Sequence, residues 1–396
     1  MRESYTLRYS LIQLSFGLLG SSIIGFSTMY LLSKGFLTDQ VGVFFAIGNI
    51  SVVLFQTIIN RVFSRGRAVN TKKMAILMCL VSIISLALLL LNNKKIMILV
   101  LFFIPYFISM SIQTNINAIS GIIIKMGYEL NLGFSRAFSA IAYALNTYIL
   151  AIIIDKTSSN AVVVAASLFY MLLLLSFFTV QKLEDYRITS LGNISQALEV
   201  KEERLTKIRR KKFIIFLVGY ACMFAFHYMK ATFLINIIEY VNGGVKDLGL
   251  ALSIGSISEI PILFLFDFLE ERFGANKLLV FSSLIFLIQA LILLAAKSVT
   301  NIYIISILQG GAFGLLIPSG IQLINSKFSL HDNQKYQSIL VSASSIGVLF
   351  ASLVGGFTIR SFGYSVFVYM AVLMVVIGCI SFLVSFTSLI EKTDKY

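Results

Sequence analysis

Long apolar segments alternate with short polar ones along the whole chain. Twelve of these segments have the ~20 residues that an α-helix needs to cross a bilayer. The predicted spans are Ser10–Leu32, Asp39–Val62, Lys73–Leu91, Ile96–Lys125, Leu132–Ile154, Ala161–Gln181, Phe213–Ile238, Leu248–Leu269, Leu278–Ala296, Ile302–Lys327, Lys335–Ile359 and Val366–Ile390.

The polar segment between the sixth and seventh spans is much longer than the others. Residues 182–212 carry mixed charge and a basic end, and they contain no apolar repeat long enough for a core. We interpret this segment as a cytoplasmic linker. The predicted domains are an N-terminal six-helix bundle (1–181), the linker (182–212) and a C-terminal six-helix bundle (213–396).

Composition supports a membrane protein. The chain is 58% hydrophobic and 13% charged, with a mean hydropathy of +0.91, whereas a soluble domain is roughly 25% charged. The net charge of +14 is explained by basic loops that set topology, so we expect no nucleic-acid partner. The three cysteines lie in separate apolar segments with no Cys-x-x-Cys pattern, and we therefore expect neither disulfides, metal nor cofactor.

Basic residues also predict the orientation. Most of the 32 Lys and Arg residues fall in the loops that share a side with the N-terminus and the linker. By the positive-inside rule both termini are cytoplasmic, in a multi-pass protein of the cell membrane.

The loops after the second and eighth spans look like copies of each other. The first reads NRVFSRGR (60–67) and the second ERFGANK (271–277). With the six-plus-six count, they resemble the Gly-x-x-x-Asp-Arg-x-Gly-Arg-Arg loop of the major facilitator superfamily, although Asn60 takes the Asp position. The resemblance implies an all-α integral membrane fold of twelve transmembrane helices in two pseudo-symmetric six-helix bundles, the major facilitator fold, with a substrate site at mid-membrane between the repeats.

Three segments carry a narrower resemblance. The eighth span (249–274) and the second span (39–56) resemble bacterial sugar efflux transporters, and LGFSRAFSAIAYAL (132–145) also resembles lactose-permease-like oligosaccharide symporters. This branch implies a sugar or sugar-like solute and proton coupling. The tenth span lacks the His/Glu pair that lactose permease uses for protons.

Three ionisable residues lie inside predicted spans of the second half. Glu259 lies in the middle of the eighth span, and His227 and Lys230 share one face of the seventh. A charge inside a bilayer is costly and normally faces the protein interior or a wet cavity. We expect Lys230 to pair with Glu259, which either stays ionised to hold the cavity or carries a proton between access states.

A second set of polar residues is predicted to line the substrate cavity, because each lies within a span. In the fifth span, helical spacing places Arg136, Tyr143 and Asn146 along one stripe with Ser139. In the fourth span, the same spacing places Gln113 and Asn117 on one face. The full set is Arg136, Tyr143, Asn146, Gln113, Asn117, Asn49 and Gln309.

The pattern favours a secondary active transporter of a small polar solute, working as a monomer in the lipid bilayer and coupled to protons, with efflux as one candidate direction of transport. A proton-coupled pump for multiple drugs or amphipathic compounds is the alternative, since the 34 Phe residues could form an apolar wall. A non-transporting membrane sensor of the same fold is a further alternative. An enzyme is not expected, because the two His residues lie far apart in the chain and no nucleophile or acid/base cluster accompanies them.

Overall fold

The computed structural model describes residues 5–64, 71–180, 207–328 and 330–386. Most of the predicted linker and part of the loop after the second span lie outside these ranges. Every regular element in the described residues is an α-helix. The helices are α1 (Tyr5–Ile23), α2 (Ser27–Ser33), α3 (Thr38–Ser64), α4 (Thr71–Leu90), α5 (Lys95–Lys125), α6 (Leu132–Lys156), α7 (Ala161–Phe178), α8 (Lys207–Thr232), α9 (Leu234–Tyr240), α10 (Val245–Phe273), α11 (Ala275–Leu294), α12 (Val299–Ile307), α13 (Gln309–Lys327) and α14 (Leu330–Phe386).

Eleven helical stretches of the described chain are long and apolar enough to cross a membrane. The last one, Lys335–Ser385, is 51 residues long and covers both the eleventh and the twelfth predicted spans. Gly363 interrupts α14 with a φ of 81°, a backbone conformation that glycine adopts without strain. The pattern of apolar segments therefore predicted the spans correctly.

Three spans are interrupted, which the sequence did not predict. The first span consists of α1 and α2, the seventh of α8 and α9, and the tenth of α12 and α13. The first and seventh spans each end in a separate helix of seven residues. These two spans occupy the same place in the two predicted repeats, and the shared interruption supports an internal repeat.

The described chain divides into two compact units, and unit 1 comprises residues 1–36 and 47–197. Within it, α1 packs on α6 and α7, and α4 packs on α5 and α7. Gly17 of α1 touches the backbone of Ser139 in α6, where a methyl group would overlap with the carbonyl oxygen. A glycine at this crossing lets the two helices approach closely.

Unit 2 comprises residues 37–46 and 198–396. Here α8 packs on α14, and α11 packs on α13 and α14. The contact of α8 with α14 joins the first and fifth spans of the second half, as the contact of α1 with α6 does in the first. A glycine again allows it, since a methyl group on Gly347 of α14 would overlap with the carbonyl oxygen of Ala221 in α8.

The beginning of α3 packs within unit 2. Asp39 pairs with Arg360 of α14. Gly42 faces the backbone of Ser352, where a side chain larger than hydrogen would overlap with the carbonyl oxygen. These contacts explain why residues 37–46 group with unit 2 while the remainder of α3 groups with unit 1.

Candidate functional site

A chain of hydrogen bonds links three helices in the interior of unit 2. The ammonium nitrogen of Lys230 donates to Oε1 of Gln309 at 2.8 Å. The amide nitrogen of Gln309 then donates to Oε1 of Glu259 at 3.0 Å. One carboxamide therefore connects a buried ammonium group on α8 to a carboxylate on α10.

The interruption of the tenth span positions this carboxamide. α12 ends at Ile307, and Gln309 is the first residue of α13. Gly310 follows and lies against α10, where a methyl group would overlap with the carbonyl oxygen of Ser258. The amide of Gly310 donates to Oγ of Ser258 at 3.0 Å, which satisfies a backbone group at the start of α13. Close contact at Gly310 thus fixes the backbone from which the side chain of Gln309 reaches Glu259.

Gln289 holds the other side of Lys230. Its side chain is completely buried on α11. Nε2 donates to the carbonyl oxygen of Ile305 at 2.8 Å, and Oε1 faces Nζ of Lys230 at 3.4 Å. Sequence reasoning missed this residue, although an isolated glutamine in the middle of an apolar span was a usable signal.

The expected direct pair of Lys230 with Glu259 differs from the observed arrangement. Among the described residues, these two charges are joined through Gln309 rather than by an ion pair. The sequence placed Gln309 among the cavity-lining candidates and did not connect it with the charges. Its role depends on the helix break at Leu308 and on the close contact at Gly310, and helical spacing in the sequence predicts neither feature.

The burial of the three groups is unequal. Lys230 is only 5% exposed, whereas Glu259 and Gln309 are partly exposed. An ammonium group in a low-dielectric interior needs compensating partners, and two glutamine oxygens provide them here. The carboxylate and amide side chains therefore retain some accessible surface, unlike the ammonium group.

His227 lies one helical turn from Lys230 on the same helix. It is 6% exposed, and its ring stacks on that of Phe313 with a centroid distance of 3.6 Å and an interplanar angle of 6°. Its Nδ1 is buried without a hydrogen-bond partner among the described residues. Phe313 follows Gln309 by one turn of α13, so the stacked pair lies one turn from the hydrogen-bonded chain on both helices.

The residues of the predicted polar stripe on the fifth span differ in their burial. Asn146 is buried and donates to the hydroxyl oxygens of Ser21 at 2.7 Å and Ser22 at 3.1 Å. Tyr143 is half-buried and approaches Gly20. Arg136 is exposed near the beginning of α6. The cavity interpretation of Asn146 is thus corrected, because its amide joins α6 to α1.

The candidates on the second and fourth spans remain partly accessible. Gln113 donates to Oδ1 of Asn117 at 3.2 Å, so the two share a face as their spacing predicts. Asn115 points elsewhere, and its amide contacts the sulfur of Met78 at 3.3 Å. Asn49 is half-buried on α3.

Within the described ranges, no group of three or more His, Cys, Asp and Glu residues is arranged to hold a metal ion. The three cysteines are free thiols. The hydrogen-bonded chain of Lys230, Gln309 and Glu259 in unit 2 is the strongest candidate site.

Solved structures show the same fold. The nucleoside transporter NupG superposes with a TM-score of 0.78 at 14% identity, covering 97% of this chain and 99% of that chain. A peptide transporter POT in complex with sulfate gives 0.69 at 13% identity, with 96% and 93% covered. A bacterial homologue of the iron transporter ferroportin gives 0.68 at 13% identity, with 96% and 98% covered.

No curated protein matches the sequence. The model of the MFS_1 like family matches residues 8–389, which is nearly the whole chain. The described helices, the candidate spans and the solved structures agree with the predicted major facilitator fold. The narrower assignment to the sugar efflux or lactose-permease branch is not part of this match. The chain belongs to the MFS_1 like family of membrane transporters.

Proposed function

We propose that this protein is a secondary active transporter that moves a small polar solute across the cell membrane by alternating access, coupled to protons. The observation that carries the proposal is the chain from Lys230 through Gln309 to Glu259. Ionisable groups within membrane spans are costly and mark solute and proton pathways. The protein acts as a monomer, with both termini in the cytoplasm.

Glu259 is the proton-binding group of the proposed mechanism. When ionised, it accepts a charge-assisted hydrogen bond from Gln309, which is stronger than a bond between neutral groups. Protonation removes that charge and weakens the connection between α10 and the first turn of α13. The interruption at Leu308 lets this turn move without unwinding a continuous helix.

A polar solute suits the groups that border the site. Carboxylate, amide and ammonium groups donate and accept hydrogen bonds in defined directions. The resemblance of the second, fifth and eighth spans to sugar efflux transporters favours a sugar-like solute and export. The stack of His227 on Phe313 is the observation that favours an amphipathic compound as the alternative substrate.

The test uses purified protein in liposomes that enclose a pH-sensitive dye. Sugars, nucleosides, peptides, amino acids and amphipathic drugs are added one class at a time. We expect one class to change the internal pH and to accumulate against its gradient when a proton gradient is imposed. Solute flux that does not depend on the proton gradient would contradict proton coupling. If no solute class moves at all, the result would favour a non-transporting membrane sensor of the same fold.

A further inference from the structure

The carboxamide of Gln309 is held between two opposite charges. Its oxygen accepts from the ammonium group of Lys230 at 2.8 Å, and its nitrogen donates to the carboxylate of Glu259 at 3.0 Å. An oxygen thus faces the positive group and an N–H faces the negative group. A solute that carried an oxygen anion and an ammonium group close together would satisfy both partners in the same way.

Covalent geometry limits which solute can do so. The oxygen and nitrogen of one carboxamide are roughly 2.2 Å apart, as its bond lengths require. The carboxylate oxygen and ammonium nitrogen of an α-amino acid approach to roughly 2.7 Å, because a single carbon joins the two groups. Zwitterions with longer chains between their charges are extended in water and have to fold to match this spacing.

We propose that the site binds an α-amino acid zwitterion, which displaces the side chain of Gln309. The solute carboxylate then pairs with Lys230, and its ammonium group pairs with Glu259. This inference rests on the proposed transport function and names a different substrate class for the same site than the sugar-like solute that the resemblance favours.

The exchange is physically favourable for two reasons. Gln309 makes hydrogen bonds in which only the partner is charged, whereas the zwitterion makes bonds in which both groups are charged. Gln309 is also partly exposed, so neighbouring atoms do not enclose its side chain on every side and it can turn away when the solute enters. Until then it satisfies Lys230, which is 5% exposed and would otherwise need another partner.

The neighbouring aromatic pair offers the solute side chain an apolar surface through Phe313, which is partly exposed, while His227 is buried. His227 precedes Lys230 by three residues on α8, and Phe313 follows Gln309 by four residues on α13. Their stacked rings therefore lie one turn away from the pair of charges on both helices. An apolar side chain on the amino acid would be directed toward this surface.

The first test is calorimetric titration of the purified full-length protein with L-leucine and its isomer 6-aminohexanoate. The two solutes contain the same atoms and differ in the separation of their charges. We expect L-leucine to bind at least tenfold more tightly than 6-aminohexanoate, leucine methyl ester or N-acetyl-leucine. Equal binding of any of these three would overturn the inference.

The second test uses Gln309→Ala, which removes the group that occupies the site. We expect this variant to bind L-leucine several-fold more tightly than the wild type. Truncation of an ordinary contact residue would instead weaken the binding of L-leucine. Gln322→Ala, on the same helix, is the matched control and leaves the affinity unchanged. Glu259→Gln abolishes binding. Weaker binding by Gln309→Ala would contradict the displacement.

The outcomes separate this inference from the proposed function. If the liposome assay shows proton-coupled flux of sugars or nucleosides and L-leucine binds to neither the wild type nor Gln309→Ala, the transporter stands and the substrate class is wrong. If no solute class moves protons and L-leucine still binds, the site stands and the transport proposal is wrong.

Discussion

The two units have similar helix packing but bury different kinds of polar side chain within their spans. In unit 1 the buried polar side chains are mainly serines, several of which donate to carbonyl oxygens of their own helix. Neutral amides join one helix to another, as in the bonds from Asn146 to Ser21 and Ser22. The buried cation of unit 1, Lys72, lies in the first turn of α4 and donates to the carbonyl oxygen of Val180. In unit 2 the buried side chains include His227 and Lys230 within the seventh span.

This difference indicates how one half of a repeated fold can serve stability while the other half serves proton coupling. Interhelical hydrogen bonds between neutral groups stabilise a bundle and need not change during a transport cycle. A carboxylate linked to an ammonium group through one amide can change its charge, and the hydrogen bonds that depend on that charge change with it. We therefore assign proton coupling to unit 2. We expect the hydrogen bonds from Asn146 to Ser21 and Ser22 in unit 1 to be structural.

The largest effect is expected from Glu259→Gln. The amide keeps the size of the side chain but cannot bind or release a proton, so uphill flux in liposomes should fall to the level of protein-free liposomes. The variant should still insert and remain folded, because a neutral side chain in this position costs no more to bury than a carboxylate. Asp267→Asn, on the exposed side of the same helix, is the control. Unchanged uphill transport by Glu259→Gln would remove the proposed difference between the units.

The next effect is on stability. Lys230→Ala leaves the Glu259 carboxylate uncompensated and Oε1 of Gln309 without its donor, and we expect a loss of about 3 kcal/mol in the free energy of unfolding in micelles. Adding Glu259→Gln should recover part of that loss, since the remaining charge is then removed.

Lys277→Ala, which truncates an exposed lysine on α11, is the control for the loss of a cation. Strictly additive losses in the double variant would show that the two charges do not interact. That result would leave Gln309 as a helix-packing residue.

Much of this fold could be predicted from the sequence, and the chemistry of the site only in part. Apolar length alone identified the spans, because a helix must satisfy its backbone within the bilayer. The exact partners of Lys230 depend on where α12 ends and on how closely Gly310 approaches Ser258, which are tertiary properties. Spacing predicts a polar stripe on the fifth span, but it cannot show whether a residue of that stripe meets a cavity or, as Asn146 does, another helix.

Glycines at the helix crossings allow a comparison of the two units under the same kind of strain. A methyl group at Gly17 in unit 1 or at Gly310 in unit 2 would overlap with a neighbouring carbonyl oxygen. We expect Gly17→Ala and Gly310→Ala each to cost about 1–3 kcal/mol in unfolding free energy. Only Gly310→Ala should also reduce transport per folded molecule, because it displaces Gln309.

Neighbouring glycines on the same helices provide the controls. A methyl group at Gly314 would be 3.5 Å from Cγ2 of Ile262, and one at Gly20 would be 3.9 Å from the nearest atoms, which are ordinary contacts. Gly314→Ala and Gly20→Ala should therefore keep stability and transport. Equal loss of transport in Gly17→Ala and Gly310→Ala would show that both crossings move during the cycle.

The smallest effect is expected from Asn146→Ala in unit 1. Interhelical hydrogen bonds in membranes contribute about 0.6 kcal/mol on average, and Asn146 makes two short bonds to serine hydroxyls, so we expect a loss of about 1 kcal/mol in stability. Apparent KM for the transported solute should not change, because the amide faces α1. Asn117→Ala provides the contrast, since that side chain is exposed on α5 and accepts a hydrogen bond from Gln113 on the same face. A raised KM in Asn146→Ala with unchanged stability would instead place the bonds of Asn146 to Ser21 and Ser22 in the solute pathway.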